Sequence, residues 1–234
     1  MLAPRLLFLL LFFNSGRSLT AQENDPDLRL AMQLDSMAAT ADLHRHFAKI
    51  YTTTVLQSMQ HYQRATENEL YFIRRFEHLF AGYFIRAAAS RGQEPGTEAW
   101  QAYFHDSTLS PLQYQLLGIN AHINADLSVT LTTGFSLEEL KMHKKTLLRF
   151  QAGLRKQFML FYEENWRTSL LTRLLHQLTF GLARPYGAVK MYQWRKRQYK
   201  LAVLHITHPG KEARLKRKTA RHKERIDRLI LRYL

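Results

Sequence analysis

The chain has 234 residues, 46% of them apolar, which is enough for one sizeable domain with its own core and excludes a disordered chain. With only 10 Gly and 6 Pro, an all-β protein with its many turns is disfavoured. The absence of cysteine excludes disulfides, thiolate metal sites and cysteine nucleophiles, and a net charge of +15 directs attention to anionic partners.

The first segment, MLAPRLLFLLLFFNSGRSLTAQ, reads as a signal peptide over residues 1–22. Arg5 supplies the basic start, Leu6 to Phe13 an apolar run shorter than a spanning helix needs, and Ala21 a small residue for cleavage. The expectation is an exported protein, periplasmic or secreted.

From there the sequence reads as helix after helix. Asp25 followed by Pro26 is an N-cap with proline at the first helical position. Thr66 with Glu69, Ser110 with Gln113 and Ser136 with Glu139 have the spacing of capping boxes, each ahead of an apolar-periodic run. Stops fall near Gly92, Gly134, Pro185 and Pro209. These signals predict helices over 26–62 with a break at 38–41, then 67–90, 97–105, 111–131, 137–165, 168–182, 186–206 and 211–232. The predicted class is all-α: one helical bundle over 23–208, then a basic amphipathic C-terminal helix over 209–234.

On the helix over 67–90, Leu70, Ile73, Phe76, Phe80 and Phe84 form a core-facing stripe. Arg74, Glu77 and His78 read as its solvated or ion-paired side. The helix over 111–131 carries the stretch GINAHINADL. Asn120 and Asn124 share one face, while His122 and Asp126 share another. The apolar flanks imply burial, and buried amides and imidazoles require hydrogen-bond partners on both sides. Gly118 is expected to admit another backbone at close range.

Three readings of this motif stay open. One is a buried polar network holding neighbouring helices in register. The second is catalytic: His122 and Asp126 bind a divalent metal with help from Glu77, His78, His105 or Asp106, or act as an oriented general base on water. The third is a small-molecule pocket in which Asn120, Asn124, Tyr51 and Thr53 contact the ligand. No Gly-rich phosphate loop, zinc-protease helix or finger spacing is present.

The stretch LLGINAHINADL resembles the signature of a bacterial family of unknown function, whose hallmark is a Gly-x-Asn-Ala-His-Ile-Asn-x-Asp-Leu helix. The resemblance extends to FAKIYTTTV, to FIRRFEHLFAGYF, to EAWQAYF around Trp100 and, more loosely, to VKMYQWRKRQYKLAV. It covers roughly residues 40–206 and implies an all-α fold without a mechanism. The basic end falls outside it.

Lys190 to Leu234 holds 15 Lys or Arg against three acids. Leu229, Ile230 and Leu231 add an apolar patch. The expected partner is an anionic lipid or lipopolysaccharide surface, or the patch docks on the bundle. Nucleic acid is not expected of an exported chain.

Overall fold

The computed structural model describes residues 25–62 and 65–234. The signal-peptide reading lies outside the described residues. Chain order runs α1 (Pro26–Ala38), α2 (Arg45–Tyr62), α3 (Glu67–Ser90), a 3₁₀ turn (Glu98–Trp100), α4 (Gln101–Phe104), α5 (Pro111–Ala121), a π-helical turn (His122–Asp126) and α6 (Leu127–Gly134). Then follow α7 (Leu137–Met142), α8 (Lys144–Gly153), α9 (Arg155–Asn165), α10 (Leu170–Leu178), α11 (Ala183–Thr207) and α12 (Pro209–Tyr233). No strand occurs among the described residues, so the fold is all-α. None of the described helices is long and apolar enough to cross a membrane.

The helix starts follow the capping chemistry. Thr66, Ser110 and Ser136 each accept from the backbone N–H three residues on, and Glu69, Gln113 and Glu139 reach back to the cap. Each box satisfies two donors that a helix N-terminus otherwise leaves unpaired. Asp25 caps α1 ahead of Pro26. Helix α3 stops where Arg91 and Gly92 take positive φ, 52° and 74°.

Helix α3 is the spine between two cores. Its C-terminal half, with Ala81, Phe84 and Ala87, packs with α1, α2, Trp100, Tyr103 and α5. Its N-terminal half, with Phe72, Ile73 and Phe76, packs with Leu127 and Leu131 of α6, Leu140, Leu147 and Phe150, and with Ala202 of α11. Of Arg74, Glu77 and His78, Arg74 and His78 are ion-paired and only Glu77 leaves the solvated side. Arg74 Nε and His78 Nε2 hold the buried Asp27 of α1 at 2.6 and 3.2 Å, and Glu77 is itself buried.

Three differences from the sequence reading have physical causes. The helix expected over 137–165 is three helices, because the backbone leaves helical geometry at His143 (ψ 10°) and again at Leu154 (ψ −6°). Pro185 does not end a helix. It lies in the first turn of α11, where a missing N–H costs no hydrogen bond. Gly118 admits a side chain, not a backbone: a methyl there would meet the Phe47 ring at 2.5 Å.

The C-terminal helix is part of the fold. Ile230 is buried in the first core with Ile226 and Leu234 beside it, and α12 packs on α5 and the π-helical turn.

Candidate functional site

The motif straddles the end of α5 and the π-helical turn, and its two faces do different things. On one face, Asn120 Nδ2 donates to the Lys223 carbonyl at 2.9 Å and to Asp227 Oδ1 at 2.7 Å. Asn124 Nδ2 donates to Asn120 Oδ1 at 2.8 Å, and Lys223 Nζ closes on Asp227 Oδ2 at 2.6 Å. Gln198 of α11 donates to the Asn124 carbonyl. This is a buried network that pins α12 and α11 to the motif. Asn120 and Asn124 do not line the cavity described next. Asn124 borders a separate groove beside α12.

On the other face, His122 Nδ1 lies 2.9 Å from Asp126 Oδ2. The same oxygen accepts from Trp100 Nε1 at 2.9 Å. The His122 ring is held in an aromatic box: stacked on Phe80 at 3.5 Å between centroids, with Tyr51 edge-on at 4.7 Å and Phe47 at 5.4 Å. Burial pulls the His122 pKa down, with Asp126 opposing, so the ring is neutral at neutral pH. Burial pushes the Asp126 carboxyl up, opposed by His122 and Trp100. A neutral ring that donates its Nδ1–H in a hydrogen bond to Asp126 carries its lone pair on Nε2.

Nε2 faces a cavity of about 80 Å³. Phe47, Ile50, Phe76, Phe80, Ile119, Ile123, Phe150 and Met191 supply apolar walls, and Phe158 and Phe161 of α9 a half-buried end. Beside His122, Thr54 of α2 and Gln157 of α9, four further polar side chains line it. Tyr51 belongs to α2, Glu77 to α3, Gln151 to α8 and Arg195 to α11. Tyr51 Oη, His122 Nε2, Gln151 Oε1 and Arg195 Nη1 are buried with no hydrogen-bond partner in the protein. Each such group costs on the order of 1–3 kcal/mol.

Charge in the cavity is uneven. Burial lowers the Arg195 guanidinium to about 10, which still leaves it cationic at neutral pH. Burial drives the Tyr51 phenol well up, so it remains an O–H donor. The Glu77 carboxyl is also driven well up by burial, against the hydrogen bond it accepts from Ser58 at 2.6 Å.

The residues expected to hold a metal are not assembled as one set. His122 Nδ1 and Asp126 Oδ2 point at each other, His105 is exposed at the end of α4, and Asp106 caps its own turn through Thr108. His78 is engaged with Asp27. Only Glu77 reaches the same cavity as His122. Among the described residues no three His, Cys, Asp or Glu side chains are grouped to hold a metal ion. Thr53 is exposed and donates to the Lys49 carbonyl; its neighbour Thr54 lines the cavity instead.

Arg195, Gln151 and the Trp100–Asp126 contact were not singled out from the sequence. Arg195 reads there as one more cation in WRKRQYK. The usable signal is its register: Ala188, Met191, Gln198 and Ala202 are buried on the same face of α11.

No curated protein and no solved structure matches the chain. A family match does exist, and it spans residues 28–233. It begins within α1 and ends on the last residue of α12, so it takes in both faces of the motif and also the basic end that the shorter resemblance left out. The chain belongs to the Family of unknown function (DUF5995).

Proposed function

We propose that the chain binds a small molecule in the cavity beside His122. The ligand has a short apolar body and an oxygen-bearing head that both donates and accepts hydrogen bonds. The observation that carries this reading is that four buried, unpartnered polar atoms, on Tyr51, His122, Gln151 and Arg195, belong to residues lining one largely apolar cavity. Buried polar groups in folded proteins are nearly always satisfied, and a cluster of exceptions in a cavity fits a ligand head group.

The chemistry of the head follows from the donors and acceptors. Tyr51 and Arg195 donate to an acceptor oxygen, which favours a carboxylate or carbonyl. His122 Nε2 and Gln151 Oε1 accept, which calls for a hydroxyl or water on the same ligand. A short-chain hydroxy acid meets both demands. The body is short because about 80 Å³ is smaller than the roughly 150 Å³ that admits a benzene ring. A longer tail would have to leave along α9.

A second reading is hydrolysis of a carboxylic ester or amide, favoured by the His122–Asp126 contact. In it Asp126 orients the ring, His122 Nε2 removes a proton from water, and Tyr51 and Arg195 stabilise the oxyanion. It uses no metal and no side-chain nucleophile.

The test is calorimetric titration with straight-chain carboxylates and their hydroxylated counterparts, graded by length. Binding is expected for short hydroxy acids and should fall at least about tenfold in Tyr51→Phe and in Arg195→Met, since each removes a hydrogen bond from a desolvated head. Binding unchanged in both variants would overturn the assignment. Release of nitrophenol from short-chain nitrophenyl esters, lost in His122→Gln, would select the hydrolytic reading.

A further inference from the structure

Helix α10 has its polarity inside out. Leu170, Leu171, Leu174, Leu175 and Leu178 fall within one arc of the helix, as their spacing dictates. A helix so patterned ordinarily turns that arc inward. Here all five leucines are exposed, Leu170 by 67% and Leu178 by 78%. The polar side meets the protein instead: the His176 ring stacks on Trp166 at 4.0 Å, and His176 Nδ1 lies 3.4 Å from Tyr162 Oη. The helix buries none of its residues. Just beyond it Phe180 takes a positive φ of 50° and is 94% exposed, which extends the apolar patch past the helix end.

The surroundings are cationic. Residues 154–190 hold six Lys or Arg (Arg155, Lys156, Arg167, Arg173, Arg184, Lys190) against two acids, Glu163 and Glu164. One of those cations, Arg184, is paired with Glu163 at 2.9 Å. An exposed leucine face on a segment of net positive charge matches the interface of an anionic bilayer, where apolar side chains enter the acyl boundary and cations meet headgroups.

We infer that α10 is a membrane-docking element that lays its leucine face into an anionic lipid surface. The lipid contact expected from the sequence at the C-terminal helix thus moves to α10. Helix α12 spends Ile226 and Ile230 on the core and leaves Leu229 and Leu231 exposed, whereas α10 spends none of its leucines there. The inference is independent of what the cavity binds.

The absence of cysteine permits a local test on the full chain. A single Leu178→Cys or Arg217→Cys substitution, both at exposed positions, takes an environment-sensitive fluorophore on α10 or on α12. On mixing with phosphatidylcholine–phosphatidylglycerol vesicles, the probe at 178 should shift to shorter wavelength and brighten at least about twofold, and the probe at 217 should not. Leu174→Glu in the same chain should abolish the change without altering the circular dichroism, because Leu174 is exposed. Three results would overturn the inference. One is an unchanged probe at 178. Another is a response at 217 alone. The third is a shift at 178 that follows protein concentration without lipid, which would make a second copy of the chain the occupant of this face.

Discussion

Asn120 and His122 stand two residues apart on one helical segment, equally buried, and they face opposite fates. The Asn120 amide spends both its nitrogen and its oxygen on protein partners, two of them on α12. His122 spends one nitrogen on Asp126 and aims the other into a cavity without a partner. Helix geometry produces the division, since residues two apart point to different sides. The lesson is that one motif can carry two jobs. The asparagine face fastens the C-terminal helix, and the histidine face shapes a pocket. The polar-network and site readings of the motif are therefore not rivals; they describe different sides.

The most severe way to break the comparison is to remove the partner of the asparagine face. Deletion of α12 orphans the Asn120 amide nitrogen, at about 1–3 kcal/mol, and forfeits the burial of Ile226 and Ile230 in the first core, each worth roughly 1.5–3 kcal/mol. Together these approach the roughly 5–15 kcal/mol by which a domain is stable. The truncated chain is expected to lose its cooperative thermal transition. A transition of undiminished sharpness and temperature would mean that α12 is an appendage, as the sequence reading allowed when it placed the basic end outside the bundle.

A milder substitution separates the faces. Asn120→Ala leaves Asn124 Nδ2 and one Asp227 oxygen without their partner and should cost about 3 kcal/mol. His122→Phe keeps an aromatic ring inside the Phe80–Tyr51–Phe47 box, and Asp126 retains Trp100. It should cost less than half as much yet abolish ligand binding. Chemical denaturation of both variants, with titration of the survivors, checks the pair. Equal losses of stability would collapse the distinction between the faces.

Much of this arrangement was legible beforehand, and the failures are instructive. Capping boxes are local chemistry, so Thr66, Ser110 and Ser136 marked true helix starts. The two-sidedness of the motif followed from spacing alone. What sequence could not supply was the identity of partners more than 70 residues away: Gln198 on the Asn124 carbonyl and Asp227 on Asn120. Arg195 was hidden for a similar reason. Its charge resembles that of its neighbours, and only the packing of α11 against the motif turns it inward. The breaks at His143 and Leu154 carry no proline, and both residues are buried, Leu154 in the second core and His143 stacked on Phe72.

Gly118 offers a finer probe, because it lies four residues before His122, on the histidine side. Its missing side chain makes room for Phe47, which is 3% exposed and touches His122, Trp100 and Phe84. Gly118→Ala gains helix propensity but drives a methyl into that ring. Overpacking of this kind costs about 1–3 kcal/mol against a propensity gain of about 1 kcal/mol, so a net loss of about 1 kcal/mol is expected. The displaced Phe47 ring should also weaken ligand binding while leaving the Asn120 network intact. A stabilised variant would show that Phe47 has room to move aside.

The effect that grows only with pH concerns the acid on the cavity side. Burial raises the Glu77 pKa above its ordinary value of 4.5 and lowers that of His122 below its ordinary 6.5. The signs differ in consequence. Above the ordinary carboxylate value the unfolded chain releases the Glu77 proton while the folded chain still holds it, so stability falls as pH rises through that window. For His122 the unfolded chain takes up a proton as pH drops below 6.5 while the folded ring resists, so stability falls as pH decreases. Glu77→Gln removes only the first contribution. Gln keeps an oxygen that accepts from Ser58 and carries no ionisation to suppress. The variant should therefore gain on the parent as pH rises from about 4.5, by up to about 1.4 kcal/mol for each pKa unit by which the fold has raised the carboxyl. Below that value the gap should level off at whatever the exchange costs in packing. Melting temperatures of the two chains across the acid-to-neutral range measure it. Parallel curves would place an ionised Glu77 in the fold, and the cavity would then present a carboxylate opposite Arg195 in place of a neutral acid.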